Sequence, residues 1–407
     1  MKRTYLPIAL IAVSIFSLQR CTPDNTLVTA ETKKLVLPEI AYDYKADVDA
    51  FIKDMPLIST KKRITDTSFR NVIINNSGSF SIAPEGLSFN TKQIKNDVAT
   101  LGRVLFYDTQ LSINNTIACG SCHLQSKAFS DLEEGSAGFK GIKTTRNSMA
   151  ITNPMLTRNL FWDSRSKSLQ DMVLKPVQNH IEMGMEDLNF LATKLKKSDY
   201  YPALFKKAFG TPNGMNEGVT VTGINTALMQ FLASMVTHNS KFDAGAKSNF
   251  SNFNTLELVG KDLFLSERLS CAKCHTGVNF SLSDENTFDN PYSSDGSEGT
   301  ANIGLNMVYK DNGRSNGKFK IPSLRNIELT APYMHDGRFK SLEEVVEHYN
   351  SGIQAHPQLD HNLKNSNGEP KRMNLTALEK SALIAFLKTL TDNTYTTDPK
   401  FSNPFKS

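Results

Sequence analysis

Two pentapeptides, Cys119-Gly-Ser-Cys122-His123 and Cys271-Ala-Lys-Cys274-His275, stand 152 residues apart in a chain of 407 residues that holds five cysteines in all. Each thiol of such a motif can add across one vinyl group of a porphyrin. Two intervening residues set the sulfurs at the separation this needs, and the adjoining histidine can reach the iron as its proximal ligand. The pattern predicts two covalent haem c groups, held by Cys119, Cys122, Cys271 and Cys274, with His123 and His275 on the irons. A zinc half-site or a redox dithiol are the other uses of Cys-x-x-Cys, but neither calls for histidine directly after the second cysteine.

The other face of each iron decides the chemistry. A haem with an exchangeable face activates peroxide or oxygen, whereas one filled on both sides by protein stores or passes electrons. Apart from the two motifs the histidines are His180, His238, His335, His348, His356 and His361, and none lies between the first motif and Trp162, the single tryptophan.

The elements that must position these motifs repeat along the chain. Leu101-Gly-Arg-Val-Leu-Phe106 and Leu111-Ser112 precede the first motif; Val259-Gly-Lys-Asp-Leu-Phe264 and Leu269-Ser270 precede the second. Helical periodicity dominates, with Leu188, Leu191 and Leu195 on one face and Leu383, Phe386, Leu387 and Leu390 on another. Capping boxes mark helix starts at Ser341 with Glu344 and at Thr376 with Glu379. Val219 to Val236 is apolar enough for a buried helix, and 281–304 and 311–317 are rich enough in Gly, Asn and Ser to be long surface loops. The predicted fold is mainly α, with two cytochrome c-like haem domains, 86–245 and 246–407, related by internal duplication. Residues 21–85 are expected to be a polar extension with one short helix, Ala46 to Met55.

A net charge of +5 is mild and unclustered, and excludes nucleic acid as an expected partner. Met1-Lys-Arg followed by an apolar run from Leu6 to Leu18 reads as an export signal over residues 1–20, since so short a run does not span a bilayer. Cys21 after Leu18-Gln-Arg resembles a lipoprotein box, which would make it a lipidated first residue; a plain signal cut nearby would leave a stray thiol, awkward in an oxidising compartment. The expected location is periplasmic, anchored to a membrane as a lipoprotein, where bacterial haem attachment also takes place.

From about Pro84 to Phe405 the sequence resembles the bacterial dihaem cytochrome c peroxidase and MauG superfamily. The resemblance rests on Leu101-Gly-Arg-Val-Leu-Phe-Tyr-Asp108, Arg146-Asn147, Phe161-Trp-Asp163, Ile181-Glu-Met-Gly184, Ile321-Pro-Ser-Leu-Arg-Asn326 and Ala331-Pro-Tyr-Met-His-Asp-Gly337. It implies that the His123 haem binds peroxide and the His275 haem handles electron transfer, with Trp162 between them. The bland alternative for Trp162 is a packed aromatic. Glu182 matches the distal acid that moves a proton between the peroxide oxygens, against a solvated surface glutamate as the plain reading. Asn147, with the backbone carbonyls of Thr330 and Pro332, matches a calcium site, and hard oxygen ligands suit that ion.

Three departures from the commoner pattern stand out. The loop Gly135-Ser-Ala-Gly138-Phe139-Lys-Gly141 lacks the histidine that often blocks the first iron, which implies a haem open without prior reduction. His180 replaces a usual proline, and Met172 stands where the family often has glutamine. The position of the second iron's usual methionine is Tyr349, as in MauG-like proteins; a phenolate ligand would lower the haem potential. Tyr349 also shares a helical face with Leu342, Val345 and Val346, so core packing is its alternative, with Met334, His335 and then His348 as fallback ligands. The expected function is reduction of hydrogen peroxide to water with electrons from a small redox protein, a cytochrome c or a cupredoxin. The alternative is a MauG-like oxidase that acts on a protein or organic substrate through high-valent iron, and a pure electron carrier or sensor is the third reading. Family members are often homodimers.

Overall fold

The computed structural model describes residues 34–54, 94–157, 159–210, 218–281, 299–305, 311 and 313–406; the apolar leader, Cys21 and most of the 281–304 loop lie outside them. Helices build nearly all of the described framework. Five matter most for the site: α1 (Tyr44–Asp54), α2 (Asn96–Tyr107), α3 (Val221–Ala233), α4 (Thr255–Leu265) and α5 (Ala377–Lys388). The sheet present is two antiparallel pairs of two residues, Lys34–Leu35 with Phe405–Lys406 and Thr300–Ala301 with Phe319–Lys320. Among the described residues no helix is long and apolar enough to cross a membrane.

The helices start where the sequence supplies caps. Thr376 and Glu379 exchange backbone and side-chain hydrogen bonds at the head of α5, and Ser341 with Glu344 does the same at Leu342–Glu347. Asn254 and Glu257 form a third such box on α4. Each satisfies N–H groups that the first turn leaves unpaired. The predicted buried helix is α3, capped by Thr220 on the Gly223 N–H at 3.0 Å. The predicted short helix is α1, but it is more than an appendage: Tyr44, Val48 and Phe51 are fully buried in one core with α2 and α3. Tyr395 and Phe401 from the far end of the chain join that same core.

Two helix crossings govern the architecture, and they are alike. α2 packs on α3 with Gly102 so close that a Cβ there would lie 2.0 Å from the Ala227 carbonyl oxygen and 2.7 Å from Phe231 Cβ. α4 packs on α5 with Gly260 in the same setting, 1.9 Å from the Ala382 oxygen and 2.9 Å from Phe386 Cβ. Glycine in a helix costs about 0.5–1 kcal/mol against alanine, so only the close approach explains it. The approach brings Phe106 to 5.4 Å from Phe231 and Phe264 to 5.1 Å from Phe386, centroid to centroid.

The two halves are joined through a buried polar knot. One Asp392 carboxylate oxygen accepts from Thr237 Oγ1 and from the His238 and Asn239 N–H groups at 3.0–3.1 Å. Asn326 Oδ1 accepts the Asp392 N–H at 2.7 Å, and Asn153 Oδ1 the Thr237 N–H at 2.7 Å. Asn153, Thr237, Asn326 and Asp392 are all buried, so losing one partner strands another.

Gly102→Ala and Gly260→Ala are each expected to lower unfolding free energy by about 1–3 kcal/mol, because the clash is with backbone. Gly218→Ala, where a Cβ meets nothing within 4 Å, is expected to stay within about 0.5 kcal/mol. Denaturant unfolding of the three variants checks this.

Candidate functional site

The cysteines and histidines of both motifs, with Glu182, Trp162, Asn147, Thr330, Pro332 and Tyr349, all line one cavity of about 1250 Å³. That exceeds the range of about 300–1000 Å³ usual for a pocket holding one small ligand. Both cysteine motifs open onto it as single helical turns, Cys119–Cys122 and Cys271–Cys274, and the four cysteines are not paired as disulfides. Burial pushes the thiols of Cys119 and Cys271 up to about 12 and that of Cys122 to about 11, so they are neutral at ordinary pH.

The two histidines are oriented alike. His123 donates from Nδ1 to the Phe129 carbonyl at 2.7 Å, and His275 from Nδ1 to the Phe280 carbonyl at 3.0 Å. With Nδ1 carrying the proton, Nε2 keeps the lone pair that binds iron, the arrangement expected of a metal-ligating histidine. Burial lowers the pKa of both, that of His275 to about 4, which keeps the imidazoles neutral. Phe129 and Phe280 have positive φ, 61° and 52°. Their rings pack on Phe106 and Phe264 at 6.1 Å in both halves. Paired neutral thiols, neutral imidazoles and a large apolar void fit two thioether-bound porphyrins.

Glu182 stands in the cavity wall on the segment after Asn179, whose Oδ1 accepts the Ile181 N–H at 2.8 Å. Burial raises its carboxyl above the ordinary range, partly offset by the Arg165 guanidinium. The histidine-free loop is pinned directly on this segment. Phe139 donates its N–H to the Glu182 carbonyl at 2.9 Å, and a Cβ on Gly138 would lie 1.7 Å from the Ile181 oxygen. Met172 also lines the cavity, whereas His180 is exposed and away from it.

Trp162 is held rigidly. Its Nε1 donates to the Asn147 carbonyl at 2.9 Å, and the Asn147 N–H donates in turn to the His335 carbonyl at 2.7 Å. The His335 ring stands edge-on to Trp162 at 6.4 Å and stacks flat on Phe319 at 3.6 Å. Beside it Arg146 pairs with Asp311 at 2.6 and 2.8 Å and with Asp163 at 2.7 Å. Neither this ion network nor the Phe319 stack was singled out from the sequence; the Arg146-Asn147 and Phe161-Trp-Asp163 motifs marked one side of it, and the partners lie far along the chain. The side-chain oxygen of Asn147 and the carbonyl oxygens of Thr330 and Pro332 accept no hydrogen bond among the described residues. Such unengaged oxygens suit a hard cation, and no cluster of His, Cys, Asp or Glu that could hold a metal occurs among the described residues.

Tyr349 reaches the cavity from a widened turn, His348–Gly352, that continues the Leu342–Glu347 helix with i→i+5 spacing. Such turns concentrate at functional sites. Burial holds its phenol well above the usual range. Of the fallback ligands, Met334 and His335 also line the cavity, but His348 turns away and uses Nε2 on the Ile303 carbonyl at 3.0 Å.

Two sites of this kind facing one void define a haem-based electron-transfer enzyme. The family described as di-haem cytochrome c peroxidase matches residues 96–250. The cytochrome c551 peroxidase of Nitrosomonas europaea is 33% identical over 312 residues, covering 76% of this chain and 83% of that protein. The methylamine utilization protein MauG of Methylorubrum extorquens is 29% identical over 291 residues, 71% of this chain and 77% of that one. The crystal structure of a MauG-like protein associated with microbial copper homeostasis superposes with a TM-score of 0.68 at 30% identity, covering 81% of this chain and 99% of that one. The chain belongs to the di-haem cytochrome c peroxidase family, and is therefore an oxidoreductase that carries two haem c groups.

The loop clamp is checked by Gly138→Ala. The added methyl must lift the loop from Ile181, which is expected to cost about 1–3 kcal/mol of stability and to slow the reaction with peroxide; an unchanged unfolding midpoint would refute the clamp.

Proposed function

We propose that the protein reduces hydrogen peroxide to water outside the cytoplasmic membrane, with electrons from a small redox protein such as a cytochrome c or a cupredoxin. The observation that carries this reading is the shared cavity, which places Glu182 and Trp162 on one wall system with both cysteine–histidine motifs. Haem iron, when bound, supplies the centre at which the peroxide bond breaks and electrons are stored.

The chain's own residues divide the remaining work. His123 fixes the peroxide-binding haem and His275 the haem that receives electrons. Glu182 takes a proton from one peroxide oxygen and returns it to the other, and its raised pKa brings it nearer the working pH. Trp162, locked by Asn147 and His335, carries electrons between the two centres. Asn147, Thr330 and Pro332 hold a calcium ion with their free oxygens. Ala137 and Gly138 line the cavity, and the clamp on Ile181 and Glu182 keeps this histidine-free loop in place, which would leave a first iron held by His123 open to peroxide at rest.

The two haem domains, 86–245 and 246–407, are read as products of one duplicated unit. The repeated crossings at Gly102 and Gly260 and the repeated histidine–phenylalanine hydrogen bonds support this. Cys21 as a lipid anchor and association as a homodimer complete the proposal.

A second reading is favoured by Tyr349: with a phenolate on the second iron, the protein would withdraw electrons from a protein or organic substrate, as a MauG-like oxidase. Steady-state turnover with peroxide and reduced cytochrome c separates the two. Rapid oxidation of the donor is expected, and slow turnover with a long-lived oxidised state would transfer the assignment to the oxidase.

Two variants test the roles. Glu182→Gln is expected to slow the peroxide reaction by about 10²–10⁴-fold. The wild-type rate should fall as pH drops through the raised carboxyl pKa, because a protonated Glu182 cannot take the peroxide proton, and this limb should vanish in the variant. Tyr349→Met is expected to raise the potential of the second haem, measured by redox titration; an unchanged potential removes Tyr349 from the iron.

A further inference from the structure

A pair of phenols sits in the core against which Cys119 packs, outside the cavity lining that includes Trp162. Asp108, buried at the end of α2, gathers two phenols on one carboxylate oxygen: Tyr200 donates to Oδ2 at 2.5 Å and Tyr201 at 2.7 Å. The rings are tilted against each other at 4.7 Å. Tyr201 is fully buried in the core against which Cys119 packs, and Asp108 directly follows Tyr107, whose ring lies against Gly120 between Cys119 and Cys122. The Tyr200 hydroxyl also accepts from the Gln110 amide at 2.7 Å. Gln110 is the inner wall of a cleft of about 290 Å³ completed by Phe190, Thr193, Lys194, Lys197 and Ser198.

We propose that Tyr200, Asp108 and Tyr201 form a proton-coupled electron relay through which a single-ring aromatic acid, seated in the Gln110–Phe190–Lys197 cleft, reduces the first haem site directly. The proposal rests on the reading of His123 as the peroxide-binding side.

Oxidising a phenol makes it a strong acid, so a buried tyrosine gives up an electron only where its proton has an acceptor within hydrogen-bond reach. Asp108 Oδ2 is that acceptor for both phenols. Tyr201 passes an electron toward the haem site and its proton to Asp108. It recovers the electron from Tyr200 and the proton from Asp108, which takes the Tyr200 proton in turn; the donor in the cleft then returns an electron to Tyr200 as Asp108 returns the proton, and the donor's own proton leaves to solvent, matching the one that peroxide takes up from it. Per peroxide, two phenolic donors each lose one electron and one proton, H2O2 gains both pairs to become two waters, and two phenoxyl radicals leave. The cleft selects the donor: Phe190 is 51% exposed and offers a stacking face. Lys194 and Lys197 line it and no carboxylate residue does; the Lys194 ammonium donates to the Ser112 carbonyl at 2.8 Å, so Lys197 carries the recognition of an acid group. An aromatic ring bearing an acid group meets both features.

The haem-loaded full chain is mixed with peroxide and 3-(4-hydroxyphenyl)propanoate, with 4-propylphenol as the uncharged control. Tyr201→Phe is expected to lower oxidation of both probes about tenfold, and Lys197→Glu that of the acid alone, while turnover with reduced cytochrome c stays within about twofold. Without any donor, freeze-quenched samples should give an electron paramagnetic resonance signal that narrows with ring-deuterated tyrosine and is lost in Tyr201→Phe. A tyrosyl signal absent from the wild type or undiminished in Tyr201→Phe, or probe oxidation indifferent to both substitutions, overturns the relay. Failure of the wild type with reduced cytochrome c overturns the peroxidase reading instead.

Discussion

The contact on which the rest of the structure depends is the one between a glycine and a helix backbone, made at Gly102 against Ala227 and again at Gly260 against Ala382. Only because those helices nearly touch can Phe106 and Phe231, or Phe264 and Phe386, meet beneath a cysteine–histidine turn. The third ring of each group belongs to Phe129 or Phe280, whose left-handed backbone turns its carbonyl toward the proximal histidine. That conformation costs a phenylalanine roughly 1–2 kcal/mol. Burying the ring contributes about 1.5–3 kcal/mol, enough to hold the carbonyl in place. Core packing and imidazole orientation are thus one event.

Between the two motifs the cavity wall is polar only at chosen points. Arg146 is saturated by Asp163 and Asp311, and Arg165 bonds to Asp163 while lying 3.5 Å above the Phe161 ring. Neutralised in this way, the cluster stiffens the backbone around Trp162 without flooding the void with net charge. Glu182 lacks so close a partner, and its field comes from Arg165 at longer range. This is why its carboxyl stays above the usual range while Asp163 is held below it: burial acts on both, but Arg146 and Arg165 outweigh burial at Asp163.

Much of the site was legible in the sequence because its chemistry is written in contiguous residues. Cys-x-x-Cys-His needs no fold to be read, and Glu182, Trp162, Tyr349 and the carbonyl donors were placed by motifs that keep their order. The 341 and 376 capping boxes were equally local. What could not be read depends on meetings across the chain: Arg146 with Asp311, His335 with Phe319 beside Trp162, and Gly138 against Ile181. The extension hid a core element for a similar reason. In α1 Tyr44, Val48 and Phe51 are buried and Ile52 packs beside them among charged neighbours, too sparse a stripe to betray that it seals the first core.

The knot around Asp392 has a kinetic consequence. Because Thr237, Asn326 and Asn153 are bonded through it directly and are buried, the segments it joins do not shift against one another without breaking several buried hydrogen bonds together. Under the proposed function, the gap between the two centres would accordingly be set once, during folding.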